Sequence, residues 1–177
     1  AYYGSHASIL TALLMKLFGR SPMTLVWTLD LTALAYCLGV YALGTALGGR
    51  NIGLWALATA GVCDFMQYYW EYHEGRVVVM ALTAWTLWAL TRLWTAAPAD
   101  RTRWRYDFWV GFLMGLTLWA HFLTVSVGLV VAAYVLLFAV RYRREAGWAS
   151  LLYAALGSLL GLMPVIVWNA YHGWISL

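Results

Sequence analysis

Residues 108–140 read FWVGFLMGLTLWAHFLTVSVGLVVAAYVLLFAV, and how this run folds decides the rest of the chain. As one helix it would extend about 50 Å, well beyond a hydrocarbon core of about 30 Å. The flanking charges settle the matter. Arg92, Arg101, Arg103 and Arg105 precede the run, and Arg141, Arg143 and Arg144 follow it. Arginine-rich connections stay on the cytoplasmic side of a membrane, so a segment held between two of them crosses an even number of times. The reading is two short crossings hinged near 120–124.

Composition places the whole chain in the same setting. Of its 177 residues 64% are hydrophobic and only 10% charged, with a mean hydropathy of +0.72. A water-soluble globule carries about 25% charged residues, so this chain has too few to clothe a surface. A cytosolic enzyme, a nucleic-acid module and a disordered tail are excluded. Cys37 and Cys63 lie inside apolar runs without CxxC spacing, which reads as two small buried hydrophobes and implies neither a structural disulfide nor a zinc cluster. The chain opens Ala1-Tyr2-Tyr3, without Met or a basic signal region, and is expected to be processed or incomplete.

Working outward, residues 8–18 are too short to span and read as an interfacial helix, closed by Gly19, Arg20 and Pro22. Residues 23–47 span and stop at Gly48-Gly49-Arg50; 52–70 span next, 77–94 follow, and 148–168 form the last crossing. Gly157, Gly161 and Pro164 are small or bending positions that membrane helices tolerate. The expected fold is all-α: a polytopic transmembrane bundle of about six crossings plus one interfacial juxtamembrane helix. No internal repeat supports an inverted-repeat transporter. With the two arginine-rich connections inside, eight of the eleven basic residues are cytoplasmic, and Lys16, Arg20 and Arg76 fall outside.

In this topology His6, His73, His121 and His172 all come to the extracytoplasmic end, as do Glu71 and Glu74. Asp30 and Asp64 lie about 9–12 Å inside the outer ends of their helices. Intramembrane ionisable groups are costly and face a cavity, a partner or a substrate path, so the outer half reads as the working half. Asp64, Gln67 and Glu71 share a helical face, which can bind a divalent cation, hold a general base, or simply hydrogen-bond a neighbouring helix. Arg76, at the mouth of a span, is suited to bidentate phosphate binding or to interfacial snorkelling. His121, at the hinge, either lines a cavity or packs with a hydrogen bond.

Four stretches carry a resemblance. Tyr2-Tyr3-Gly4-Ser5-His6-Ala7-Ser8-Ile9-Leu10, running to Gly19, is similar to a Tyr-Tyr-Asp-His-Pro-Pro-Leu segment and the short juxtamembrane helix it opens. Tyr72-His73-Glu74-Gly75-Arg76 looks like an acid-X-Arg entrance to a span. Gly111-Phe112-Leu113-Met114-Gly115-Leu116, continuing to His121-Phe122-Leu123-Thr124, looks like a Gly-rich helix with a Lys or His hinge. Gly161-Leu162-Met163-Pro164 with Trp168-Asn169-Ala170-Tyr171-His172-Gly173-Trp174 is similar to a Pro, then Trp-Asn-X-X-His-Gly-Trp, ending. In this order they resemble the membrane glycosyltransferases of the GT-C superfamily, in the branch of protein O-mannosyltransferases and aminoarabinose transferases.

That resemblance implies inverting transfer of a sugar from a polyprenyl-phosphate donor to a lipid, glycan or protein acceptor at the outer face of a plasma membrane. It implies membrane lipids and no nucleic acid as partners, and a divalent cation (Mg, Mn or Zn) near the donor phosphate in several members. Glu74 and Arg76 would be catalytic. His6, His73, His121, Asn169 and His172 would line the donor cavity, with His6 and Asp64 as metal ligands. Residues 1–177 would form one transmembrane domain, part of a larger GT-C domain. Ser5 stands where the family has an acid, Ala7-Ser8 replaces two prolines, and the family's catalytic acidic pair would precede Ala1. A second expectation, from another class, is a non-catalytic membrane subunit, or a lipid or ion carrier that uses Asp30 and Asp64 as buried sites.

Overall fold

The computed structural model describes residues 5–62, 74–96, 103–120, 125–141 and 148–171, with side-chain surroundings from residue 9 onward and, in the third helix, from residue 77. Six helical elements follow in order: α1 (Ser5–Phe18), α2 (Pro22–Val62), α3 (Glu74–Thr95), α4 (Arg103–Ala120), α5 (Val125–Arg141) and α6 (Trp148–Tyr171). Among the described residues three stretches are long and apolar enough to cross a membrane: Pro22–Val62, Val77–Thr95 and Trp148–Tyr171. The chain divides into two compact units, Ala1–Trp88 and Ala89–Leu177.

In the first unit, Gly19 ends α1 in a left-handed conformation (φ 89°) that glycine adopts without steric cost, and its N–H returns to Met15 O at 3.0 Å. Ser21 then caps α2, its Oγ accepting the Thr24 N–H at 3.3 Å, with Pro22 at the first helical position. These two signals turn α1 back along α2. Thr11 donates to Thr28 at 3.1 Å, and the Phe18 and Trp27 rings meet edge to face at 5.6 Å. Thr24, Thr28 and Thr32 form a buried stripe on α2, and the last two bond the carbonyls of Thr24 and Thr28. Donating inside the same helix removes the need for an outside partner in an apolar medium.

The expected stop at Gly48-Gly49 lies inside α2. Gly48 (φ −148°, ψ 18°) and Gly49 (φ 81°, ψ −179°) leave helical geometry, so α2 consists of two helical arms. Past this break the arms touch through backbone: a Cβ on Gly44 would stand 3.0 Å from Gly53 Cα and 3.1 Å from Ala56 Cβ. Trp85 of α3 completes the unit by donating its indole N–H to Ala35 O at 2.9 Å, beside Gly39.

In the second unit, α4 and α6 lie against each other with little side-chain volume between them. Gly111 faces the Ala154 backbone, Gly115 faces Ser158 and Gly161, Gly157 faces Phe108 and Phe112, and Gly161 faces Phe112 and Leu116. Partner numbers rise together along both helices, so α4 and α6 run parallel. Helix α5 runs back alongside α4: Gly128 near its start meets Met114 and Leu118 in the later half of α4, while Phe138 near its end lies under Arg103 at the start of α4. Small residues four apart on both helices permit this approach, which gains van der Waals contact where lipid offers no hydrophobic drive.

One expectation needs correction. The helix expected from Phe108 begins at Arg103, because Arg103 and Asp107 find partners inside the protein and need no aqueous loop. Arg103, read as a charge in a polar connection, is 3% exposed. The break expected near 120–124 falls on residues 121–124, which lie outside the described residues.

Replacing Gly157 by Ala puts a Cβ against the Phe108 carbonyl and 2.8 Å from Phe112 N. It should lower stability by about 1–3 kcal/mol, as overpacking does. Gly61→Ala, where a Cβ meets nothing within 4 Å, should be neutral or stabilising. Reversible unfolding of the two variants by SDS in mixed micelles checks the contrast.

Candidate functional site

The most elaborate polar arrangement among the described residues sits where α3 ends and α4 and α6 begin. The last carbonyls of a helix lack intrahelical donors. Arg103 supplies them: its Nη1 donates to Leu93 O and to Ala96 O, each at 2.9 Å. A guanidinium suits this place, since it carries several donors and its charge complements the negative end of the helix dipole. One turn on, at i+4, Asp107 Oδ2 stands 4.0 Å from Arg103 Nε, and Oδ1 accepts a 2.5 Å hydrogen bond from Ser150 Oγ of α6. The guanidinium carbon lies 3.6 Å from the centre of the Phe138 ring of α5, a cation–π contact.

Arg103, Asp107 and Ser150 are each 3% exposed or less, so one neutral ion pair joins the ends of four helices. Burying either charge alone would cost several kcal/mol. Together they bury no net charge. The arrangement can fix helix ends and hold a proton or an ion pair, and among the described residues Arg103 Nε and Nη2 donate to no hydrogen-bonding partner within it.

The expected site residues divide by location. Asn169, near the end of α6, is 2% exposed and donates Nδ2 to Val165 O at 2.9 Å, one turn back. It follows Pro164, whose ring nitrogen cannot donate to the Leu160 carbonyl. Glu74 and Arg76 are in the first turn of α3 and His6 in the first turn of α1, but their side chains lie outside the described residues. Asp64, His73, His121 and His172 lie outside them altogether. Asp30, expected to be a buried site, is exposed on the side of α2 away from the threonine stripe. Among the described residues no three His, Cys, Asp or Glu side chains gather as metal ligands.

Sequence reasoning missed Asp107 and Ser150 and misplaced Arg103. The signal was present as an Arg and an Asp four residues apart, followed by glycines at the same spacing at 111 and 115. Read as one helical face, that run is a charged pair leading into a close-packing stripe. Comparison with protein-family models, curated proteins and solved structures finds no match.

Removing Asp107 alone, as Asp107→Leu, strands the Arg103 charge and should cost about 3–5 kcal/mol. The double variant Arg103→Met, Asp107→Leu should recover most of that loss, since neither charge is then stranded. A double-mutant cycle by SDS unfolding measures the difference.

Proposed function

We propose that this chain belongs to a membrane glycosyltransferase that moves a sugar from a polyprenyl-phosphate donor to an acceptor at the extracytoplasmic face. In this reading the two arms of α2 and helices α3 to α6 make six crossings, and α1 lies at the interface. The parallel run of α4 and α6 supports it. Two parallel helices joined by one that runs back start on the same face, as the two arginine-rich connections require. Their far ends then lead to His121 and to Asn169 and His172, residues that the resemblance assigns to the donor cavity. Charge bias and backbone packing are independent, and both are consistent with α4 and α6 starting on one face.

The reaction in this reading is an in-line displacement at the anomeric carbon. The acceptor oxygen forms its bond as the bond to the lipid phosphate breaks, the phosphate keeps the electron pair, and the acceptor proton passes to a carboxylate base. Arg76 would bind the departing phosphate with two parallel N–H groups and a permanent charge. Its place in the first turn of α3 adds the positive end of a helix dipole. Glu74 would shape the same mouth. His6 and Asp64 would hold a divalent cation beside the donor.

Full-length protein in proteoliposomes, given radiolabelled polyprenyl-phosphate sugars, should transfer label to a lipid, glycan or protein acceptor. Arg76→Ala should lower kcat/KM at least about tenfold, the equivalent of about 1.4 kcal/mol of transition-state binding. No transfer across the donor and acceptor panel would overturn the reading. Unchanged kinetics in Arg76→Ala would remove that residue from it.

A further inference from the structure

The polar junction at the start of α4 has donors that the ion pair does not use. Arg103 is 3% exposed, and its Nη1 is committed to the Leu93 and Ala96 carbonyls. Its Nε and Nη2 are buried and donate to nothing among the described residues. In a planar guanidinium the Nε–H and one Nη2–H share an edge and point the same way, the fork with which arginine takes a ligand side-on. The carboxylate beside that edge does not reach it: Asp107 Oδ2 stands 4.0 Å from Nε, beyond hydrogen-bond length. The other oxygen of Asp107 is held by Ser150 Oγ at 2.5 Å. The Phe138 ring, 3.6 Å from the guanidinium carbon, has no lone pair to offer the two N–H groups.

Buried donors without acceptors are costly, and more so on a charged group, so this edge calls for a ligand. The two charges decide its class. An anion on the fork would stand against the Asp107 carboxylate, and a metal ion on the carboxylate would stand against the guanidinium. What fits both is a small neutral molecule that accepts two hydrogen bonds and donates one. Water does this with its two lone pairs and one of its hydrogens. Buried waters make about three hydrogen bonds, to groups that the protein itself leaves unsatisfied. The 4.0 Å separation also suits it, since a water about 2.8 Å from each group joins them at roughly a right angle.

We propose that one buried water binds between Arg103 Nε, Arg103 Nη2 and Asp107 Oδ2. It accepts from both nitrogens and donates to the carboxylate. Through it a single carboxylate serves two partners, Ser150 of α6 directly and Arg103 by way of the water. Helix α6 is thereby tied to the last carbonyls of α3 through an ion pair that is buried and yet separated by solvent. The site uses residues of the second unit alone and stands whether or not the chain transfers sugars.

A density map of the full-length protein in lipid nanodiscs, at a resolution that shows ordered water, tests this directly. An isolated peak should lie about 2.7–3.2 Å from Nε, Nη2 and Oδ2 together. Direct closure of the Asp107 carboxylate onto the fork, at about 2.7–2.9 Å, would overturn the proposal. So would a protein carbonyl or side chain occupying that edge. Nuclear magnetic resonance of the same protein labelled with 15N-arginine gives a second readout that needs no variant. The Arg103 Nε–H, assigned by its cross-peaks to the Phe138 ring, should show cross-relaxation with a long-lived water. Absence of that signal, with the Phe138 cross-peaks present, would also overturn it.

Discussion

The contact on which the second unit depends is backbone against backbone. Where α4 and α6 meet, Gly111, Gly115, Gly157 and Gly161 leave nothing between the helices but main chain. In lipid the hydrophobic effect does not drive helices together, so close approach and the dispersion contacts it brings must do so. This approach fixes the rest. It sets α4 and α6 parallel, which obliges α5 to run back, and it brings Ser150 to Asp107. The same device appears in the first unit, where Gly44 and Gly53 let the two arms of α2 meet.

The ion pair is the second constraint, and its role follows from magnitude. A single charge buried inside the protein without its partner costs several kcal/mol. Arg103 and Asp107 avoid that penalty by neutralising each other, and each also has work that a hydrophobic residue could not do. The guanidinium satisfies two terminal carbonyls of α3, and the carboxylate receives the Ser150 hydroxyl. Glycine contact sets how near α4 and α6 come, while the polar cluster sets their register and ties in α3 and α5.

Much of this was legible in the sequence, because membrane helices announce themselves by length and apolarity. The helices, the turn at Gly19 to Pro22 and the break at Gly48-Gly49 all follow from runs and breakers. The start of α4 did not. Hydropathy assigns a charged residue to water, and Arg103 is inside because its partners come from the end of α3, from α5 and from Asp107, which a residue of α6 far along the chain holds in turn. The pairing of α4 with α6 was likewise hidden: each helix shows its glycines alone, but no local pattern says that they interleave. Of the candidate site, Asn169 is placed by the structure near the end of α6. The exposure of Asp30 was not legible, since helical periodicity around it is weak in so uniformly apolar a segment.

A parallel α4 and α6 joins the fold to the proposed function, because both helices then start on one face, as that reading requires of the two arginine-rich connections before them. The direct measurement is labelling of single cysteines by a membrane-impermeant maleimide in right-side-out and inverted vesicles, in a protein with Cys37 and Cys63 replaced by Ala. Cysteines at Arg105 and Ala149 should react from the same side, and one at Tyr171 from the opposite side. Reaction at Arg105 and Ala149 from opposite sides would contradict the parallel pair, and with it the shared starting face.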